Sequence, residues 1–145
     1  MKLIFGSDHA GHTLRRVLVH TARRDGHECV EVGAMGEDPY DYPDAADDLA
    51  PRILSGEFEL GVLICGSGIG ICIRANRHPG IRAANCWNVE SAKLARLHNH
   101  ANVLCLGERL VEAERAVEIL TAFLKAPEDH AERHERRVGK LDAAI

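Results

Sequence analysis

The segment Leu60-Gly61-Val62-Leu63-Ile64-Cys65 carries no charge and runs straight into Gly66-Ser67-Gly68-Ile69-Gly70. A half-buried strand alternates apolar and polar residues; this one does not, so both of its faces must be covered. The glycines at alternate positions permit a tight turn and close approach of the backbone to a ligand. Ile69 to Asn76 reads as helical, so the turn ends at a helix N-terminus whose free N–H groups attract negative charge. A thiol at the carboxyl end of a buried strand, beside such donors, is a candidate reaction centre.

The rest of the chain has to supply the covering layers. Lys2–Ser7 reads as a first strand, followed by apolar positions at helical spacing (Leu14, Val17, Leu18, Ala22) and Gly26 where a C-terminal cap belongs. Glu28–Val32 reads as a strand and 34–43 as a loop ending in Asp41-Tyr42-Pro43. Ala46, Leu49, Ala50 and Ile53 mark a helix that Pro51 is expected to kink or restart. Beyond the cysteine strand come a strand at Ile81–Cys86, a helix capped by Asn88, and a strand at Ala101–Leu106. A helix around Leu120 and a charged terminal helix over about 128–143 close the chain. This alternation predicts one α/β domain over residues 1–145, a Rossmann-like three-layer α/β/α sandwich with a five-stranded parallel sheet. Ligands of such sheets bind beyond the carboxyl ends of the strands, where Ser7-Asp8-His9, Cys65-Gly66-Ser67 and Trp87-Asn88 all fall.

Composition narrows the function. A net charge of −4 argues against general nucleic-acid or anionic-membrane binding, so an anionic ligand needs a local basic cluster. No apolar run approaches the roughly 18 residues of a membrane span, and no signal-peptide layout is present, so a cytoplasmic location is expected. The cysteines at 29, 65, 72, 86 and 105 are odd in number and lack a C-x-x-C, which suggests neither a disulfide framework nor a zinc site. Cys29, Cys86 and Cys105 read as buried free thiols. The glycine loop is no dinucleotide fingerprint, because the last glycine would fall at Ile71, and it lacks the G-K-[ST] of a nucleotide P-loop. A cysteine phosphatase would need arginine six residues after Cys65, again at Ile71.

Other segments join the loop in an ordered series: Gly6-Ser7-Asp8-His9-Ala10-Gly11, Asp41-Tyr42-Pro43, Gly80-Ile81-Arg82-Ala83-Ala84 and Leu97-His98-Asn99-His100-Ala101-Asn102-Val103-Leu104. Gly107-Glu108-Arg109 and Arg133-His134-Glu135-Arg136-Arg137-Val138 follow. With these, nearly the whole chain resembles the type B ribose-5-phosphate isomerases of the ribose/galactose-6-phosphate isomerase family. The resemblance implies an aldose–ketose isomerase that works through an enediolate without cofactor or metal, on ribose 5-phosphate and ribulose 5-phosphate. The same chemistry on allose, galactose or tetrose phosphates is the alternative. A non-catalytic phosphosugar-binding module would need neither a base nor a ring-opening acid.

Cys65 matches the family's catalytic base, and a thiolate beside a helix N-terminus can serve in that role. Some relatives place a glutamate a few residues later, but that position here is Ile71. The N–H groups of Gly66, Ser67, Gly68, Ile69 and Gly70 would hold the oxyanion; one such donor in other enzymes is worth on the order of 3 kcal/mol of barrier. Ser67 could bond the substrate or the base, or simply cap the helix. His98 matches the acid that opens the furanose ring, and Asn99 a contact to sugar hydroxyls. Asp8, His9, Tyr42 and Arg109 match further substrate contacts. Arg133 and Arg137, four apart on one helix face, suit a phosphate clamp that completes the site from the terminal helix. The resemblance also implies a homodimer, or a tetramer built from it, with the site shared between chains.

Overall fold

The computed structural model describes residues 1–145, in which five strands alternate with six helices. The order is β1 (Lys2–Ser7), α1 (His12–Arg24), β2 (Glu28–Gly33), α2 (Tyr42–Leu54), β3 (Leu60–Cys65) and α3 (Ile69–Ala75). Then come β4 (Ala83–Asn85), α4 (Val89–Asn99), β5 (Val103–Gly107), α5 (Ala113–Lys125) and α6 (Glu132–Asp142). All strands pair in parallel, in the order β2-β1-β3-β5-β4. Each residue of β3 is buried, as its uninterrupted apolar run requires, because helices cover both faces. One core of twenty buried residues joins the sheet to α1, α4 and α5, and a second of fourteen joins it to α2 and α3. The three-layer sandwich is the expected one.

Local chemistry sets the boundaries. Gly26, at φ +95, follows α1 in the left-handed conformation that ends a helix without strain. Asn88 caps α4 in a reciprocal box: its Oδ1 accepts from the N–H of Ser91 at 2.7 Å, while the Ser91 hydroxyl accepts from the N–H of Asn88. Several expectations are corrected. Pro51 does not restart α2, which runs through it to Leu54. So near the helix end the missing N–H forfeits a single turn of bonding, and Leu49, Ala50 and Ile53 stay anchored in the core. Tyr42 and Pro43 form the first turn of α2 instead of closing a loop, in keeping with proline's fixed φ at a helix start. Cys29 is half-buried, because β2 is an edge strand whose outer side has no neighbouring strand. Strand β4 is shorter than expected, and α6 begins at Glu132, after a segment that turns back under α4.

On the outer edge of β4, the Asn76 side chain does what a neighbouring strand would do. Its amide donates to the Ala83 carbonyl at 2.9 Å, and its carbonyl oxygen accepts from the Ala83 N–H at 2.8 Å. The Cys72 thiol donates to the same Ala83 carbonyl at 3.5 Å.

Candidate active site

The chain leaves β1 toward β2 on one side of the sheet and returns to β3 on the other, so the strand order switches between β1 and β3. Their carboxyl ends splay apart there and leave a crevice. A cavity of about 330 Å³ occupies it, lined by Asp8, Tyr42, Cys65, Gly66, Ser67, Gly70, Arg109 and Leu110. Seven of these are residues singled out in the sequence; Leu110 was not, and only its place after Arg109 could have marked it.

Cys65 ends β3 with its side chain nearly buried, and the Gly68 N–H donates to its sulfur at 3.2 Å. Gly68 makes this possible at φ +77; a Cβ there would strike the backbone of Leu106 and Gly107 at 2.8–3.0 Å. The Ser67 hydroxyl accepts from the Ile69 N–H at 3.1 Å, so it braces the turn. Asp8 is buried, and its Oδ1 accepts from the Gly11 N–H at 2.9 Å, closing a turn after β1. His9 lies on the exposed rim, where its Nδ1 accepts from the Tyr40 N–H at 3.0 Å. The Tyr42 ring lies over Gly70: a Cβ on that glycine would come within 2.6 Å of it. The Arg109 guanidinium lies over Gly66 in the same way, and no carboxylate lies within salt-bridge distance of it. The cavity thus combines a thiol, a carboxylate, a phenol, backbone donors and one uncompensated positive charge.

The remaining thiols lie outside the cavity. Burial pushes Cys86 up to about 11 and raises Cys105 strongly, so both keep their protons. Cys72 faces β4 and β5 and does not line the cavity, and Trp87 borders a separate shallow groove that shares only Leu110 with it.

His98, Asn99, Arg133 and Arg137 are not in this cavity. α4 runs antiparallel to the strands, and its eleven residues span about 16 Å. Its last residues therefore lie at the opposite end of the sheet, where the Asn102 carbonyl accepts from the Gly61 N–H at the start of β3. There His98 stacks on His134 of α6, with ring centroids 4.4 Å apart and planes inclined by 10°. Burial and then the Arg133 charge push the His134 imidazole below its usual range. Arg133 and Arg137 are exposed and have no carboxylate partner, whereas Arg136 is held by Glu132 on the same helix. Nothing in the sequence announces the His98–His134 stack, because the motifs that hold these residues do not place α6 against α4. Within one chain the predicted site is thus divided in two, at opposite ends of the sheet.

The ribose/galactose isomerase family matches this chain over residues 3–141. The chain belongs to that family. Ribose-5-phosphate isomerase B of Escherichia coli (strain K12) is 40% identical over 142 residues, which cover 98% of this chain and 95% of that protein. The fold of ribose-5-phosphate isomerase B from Clostridium thermocellum superimposes with a TM-score of 0.95 at 44% identity, covering 98% of this chain and 95% of the other. The type B ribose 5-phosphate isomerase of Trypanosoma brucei gives 0.95 at 42%, covering 99% and 98%. The matched region of the isomerase family takes in both halves of the divided site. No helix is long and apolar enough to cross a membrane.

Proposed function

We propose that this protein interconverts ribose 5-phosphate and ribulose 5-phosphate by proton transfer through an enediolate. The observation that carries the proposal is Cys65, whose sulfur meets the Gly68 N–H at 3.2 Å within a cavity that also presents Asp8, Tyr42 and Arg109. The Cys65 thiolate takes the proton from sugar carbon 2. The released pair forms the C1–C2 double bond, and the aldehyde oxygen becomes the oxyanion that the loop N–H groups and Arg109 stabilise. Returning a proton to carbon 1 while the carbon 2 hydroxyl loses its own gives the ketose. Electrons stay within the two carbons, so the step needs neither a redox cofactor nor a metal.

His98, Asn99, Arg133 and Arg137 take part from a second copy of the chain. Their separation from Cys65 within one protomer supports this, since a two-fold dimer can bring the end of α4 in one chain over the β3 end of the other. His98 then opens the furanose ring, its imidazole being suited to proton transfer near neutrality. Asn99 bonds sugar hydroxyls, and the unpaired Arg133 and Arg137 hold the phosphate by planar guanidinium contacts. Asp8 and His9 orient the remaining hydroxyls. The function is placed in the cytoplasm.

The test is an isomerisation assay across four-, five- and six-carbon aldose phosphates, with solvent-deuterium exchange at carbon 2 as a second readout. Ribose 5-phosphate is expected to give the highest kcat/KM. Cys65→Ala should abolish exchange while still binding the sugar phosphate; unchanged turnover in that variant refutes the assignment of the base.

A further inference from the structure

A second constellation lies at the far end of the sheet from the cavity. His100 follows α4 with φ 48, the only non-glycine residue in the left-handed region, at a position where glycine is the strain-free choice. Its ring is buried beneath the segment leading to α6, and its Nε2 lies 2.9 Å from the carbonyl oxygen of Asp129. A carbonyl only accepts, so Nε2 carries the ring proton and the Nδ1 lone pair is free. That Nδ1 stands 3.5 Å from Glu128 Oε2. The His130 ring lies 5.2 Å from the His100 ring; its Nε2 is 4.0 Å from the same Glu128 oxygen and its Nδ1 is against Glu135. Donor atoms of His100, His130 and Glu135 all lie within 4.8 Å of one another.

We infer that His100, His130 and Glu135, with Glu128 as the nearest fourth donor, form a binding site for a divalent transition-metal ion that ties the end of α4 to the start of α6. Two imidazoles and carboxylates are a donor set for zinc, cobalt or nickel. Around zinc, with bonds of about 2.0–2.1 Å, tetrahedral ligand atoms stand roughly 3.4 Å apart. His130 and Glu135 are 67% and 50% exposed at their side chains and free to close that gap. His100 need not move. A metal-bound histidine normally donates its other ring N–H to a carbonyl or carboxylate, and the Asp129 carbonyl already takes that place. The isomerisation uses none of these residues, so the ion acts as a clip between two helices and not as a reagent.

Cobalt(II) tests the site directly on the intact protein, by equilibrium dialysis and absorption spectroscopy. One ion per chain is expected, with visible bands of nitrogen and oxygen ligation and no thiolate-to-cobalt charge transfer. His130→Ala and Glu135→Gln, both at exposed positions, should each weaken binding at least tenfold, about 1.4 kcal/mol. Hydrogen exchange over residues 128–135 should slow when cobalt is added to the wild type and not when it is added to His130→Ala. Cys65→Ser should bind as the wild type does. Absence of binding at about 1 mM cobalt, undiminished binding in His130→Ala, or loss of binding in Cys65→Ser would each overturn the inference. Isomerase activity does not enter the result.

Discussion

Replacing Gly70 by alanine separates the needs of the fold from those of the cavity. Gly70 lies in the first turn of α3 without a positive φ, so its backbone accepts alanine, and helix propensity gains up to about 1 kcal/mol from the change. The obstacle is the Tyr42 ring, whose atoms would lie 2.6–2.7 Å from the new Cβ. Reaching ordinary contact at 3.4 Å requires the ring to retreat by about 0.8 Å. Tyr42 is 39% exposed and can swing outward, so the fold absorbs the change while the cavity loses one wall. A misplacement of this size at a reacting substrate costs on the order of 10–100-fold in rate. Urea denaturation should therefore show a Gly70→Ala protein as stable as the wild type or slightly more so, with kcat/KM on ribose 5-phosphate reduced by that factor. The double variant Gly70→Ala/Tyr42→Ala should be no worse than Tyr42→Ala alone, because no ring remains to displace. Full activity in Gly70→Ala, or losses that multiply in the double variant, would refute the reasoning.

Mixing inactive Cys65→Ala and His98→Ala chains under conditions that exchange subunits should restore about a quarter of wild-type activity, since half the dimers then carry one intact site of two. No recovery, with mixed dimers shown to form, would remove the shared site. Arg137→Ala should raise KM for phosphorylated sugars while leaving the weak turnover of unphosphorylated ribose unchanged; an equal loss with both argues against the clamp. Asp47 is held down to about 2 by its hydrogen bonds to Arg74 and, after that, His78, below the roughly 3.9 of an unfolded chain. Its contribution is thus present above pH 4 and lost as pH falls toward 2. The carboxyl is 35% exposed at its side chain, so screening limits the effect to about 1 kcal/mol or less. Asp47→Asn should lower stability by that amount at pH 6 and by a small remaining fraction of it at pH 2, as read from urea midpoints.

Where covering layers or hydrogen-bond chemistry dictate structure, the sequence was enough. The unbroken apolar run of β3 requires burial on both faces, and Asn88 three residues before Ser91 specifies a cap whatever lies around it. Pro51 misleads because a local rule about proline does not register the three core side chains that hold α2 together as one helix around it. The cavity half of the site was legible because strand ends in a parallel sheet converge, which brings Asp8 to Cys65. The other half was not, because the order of motifs along a chain does not say which end of the sheet each occupies. His98 and Cys65 appear as members of one series and lie about a helix length apart. Only family resemblance assigned them one task.

The Asn76 side chain on β4 has a consequence for how copies of this protein can meet. An open parallel sheet ends in strands whose free N–H and C=O groups invite another chain to continue the ladder, the route to fibrous aggregation. On β4 the Asn76 carboxamide takes both outward groups of Ala83. A strand only three residues long then has little ladder left to offer. Continuation of the sheet past β4 is therefore hindered, and on this side of the molecule the helices are left as the surface that a second copy could meet.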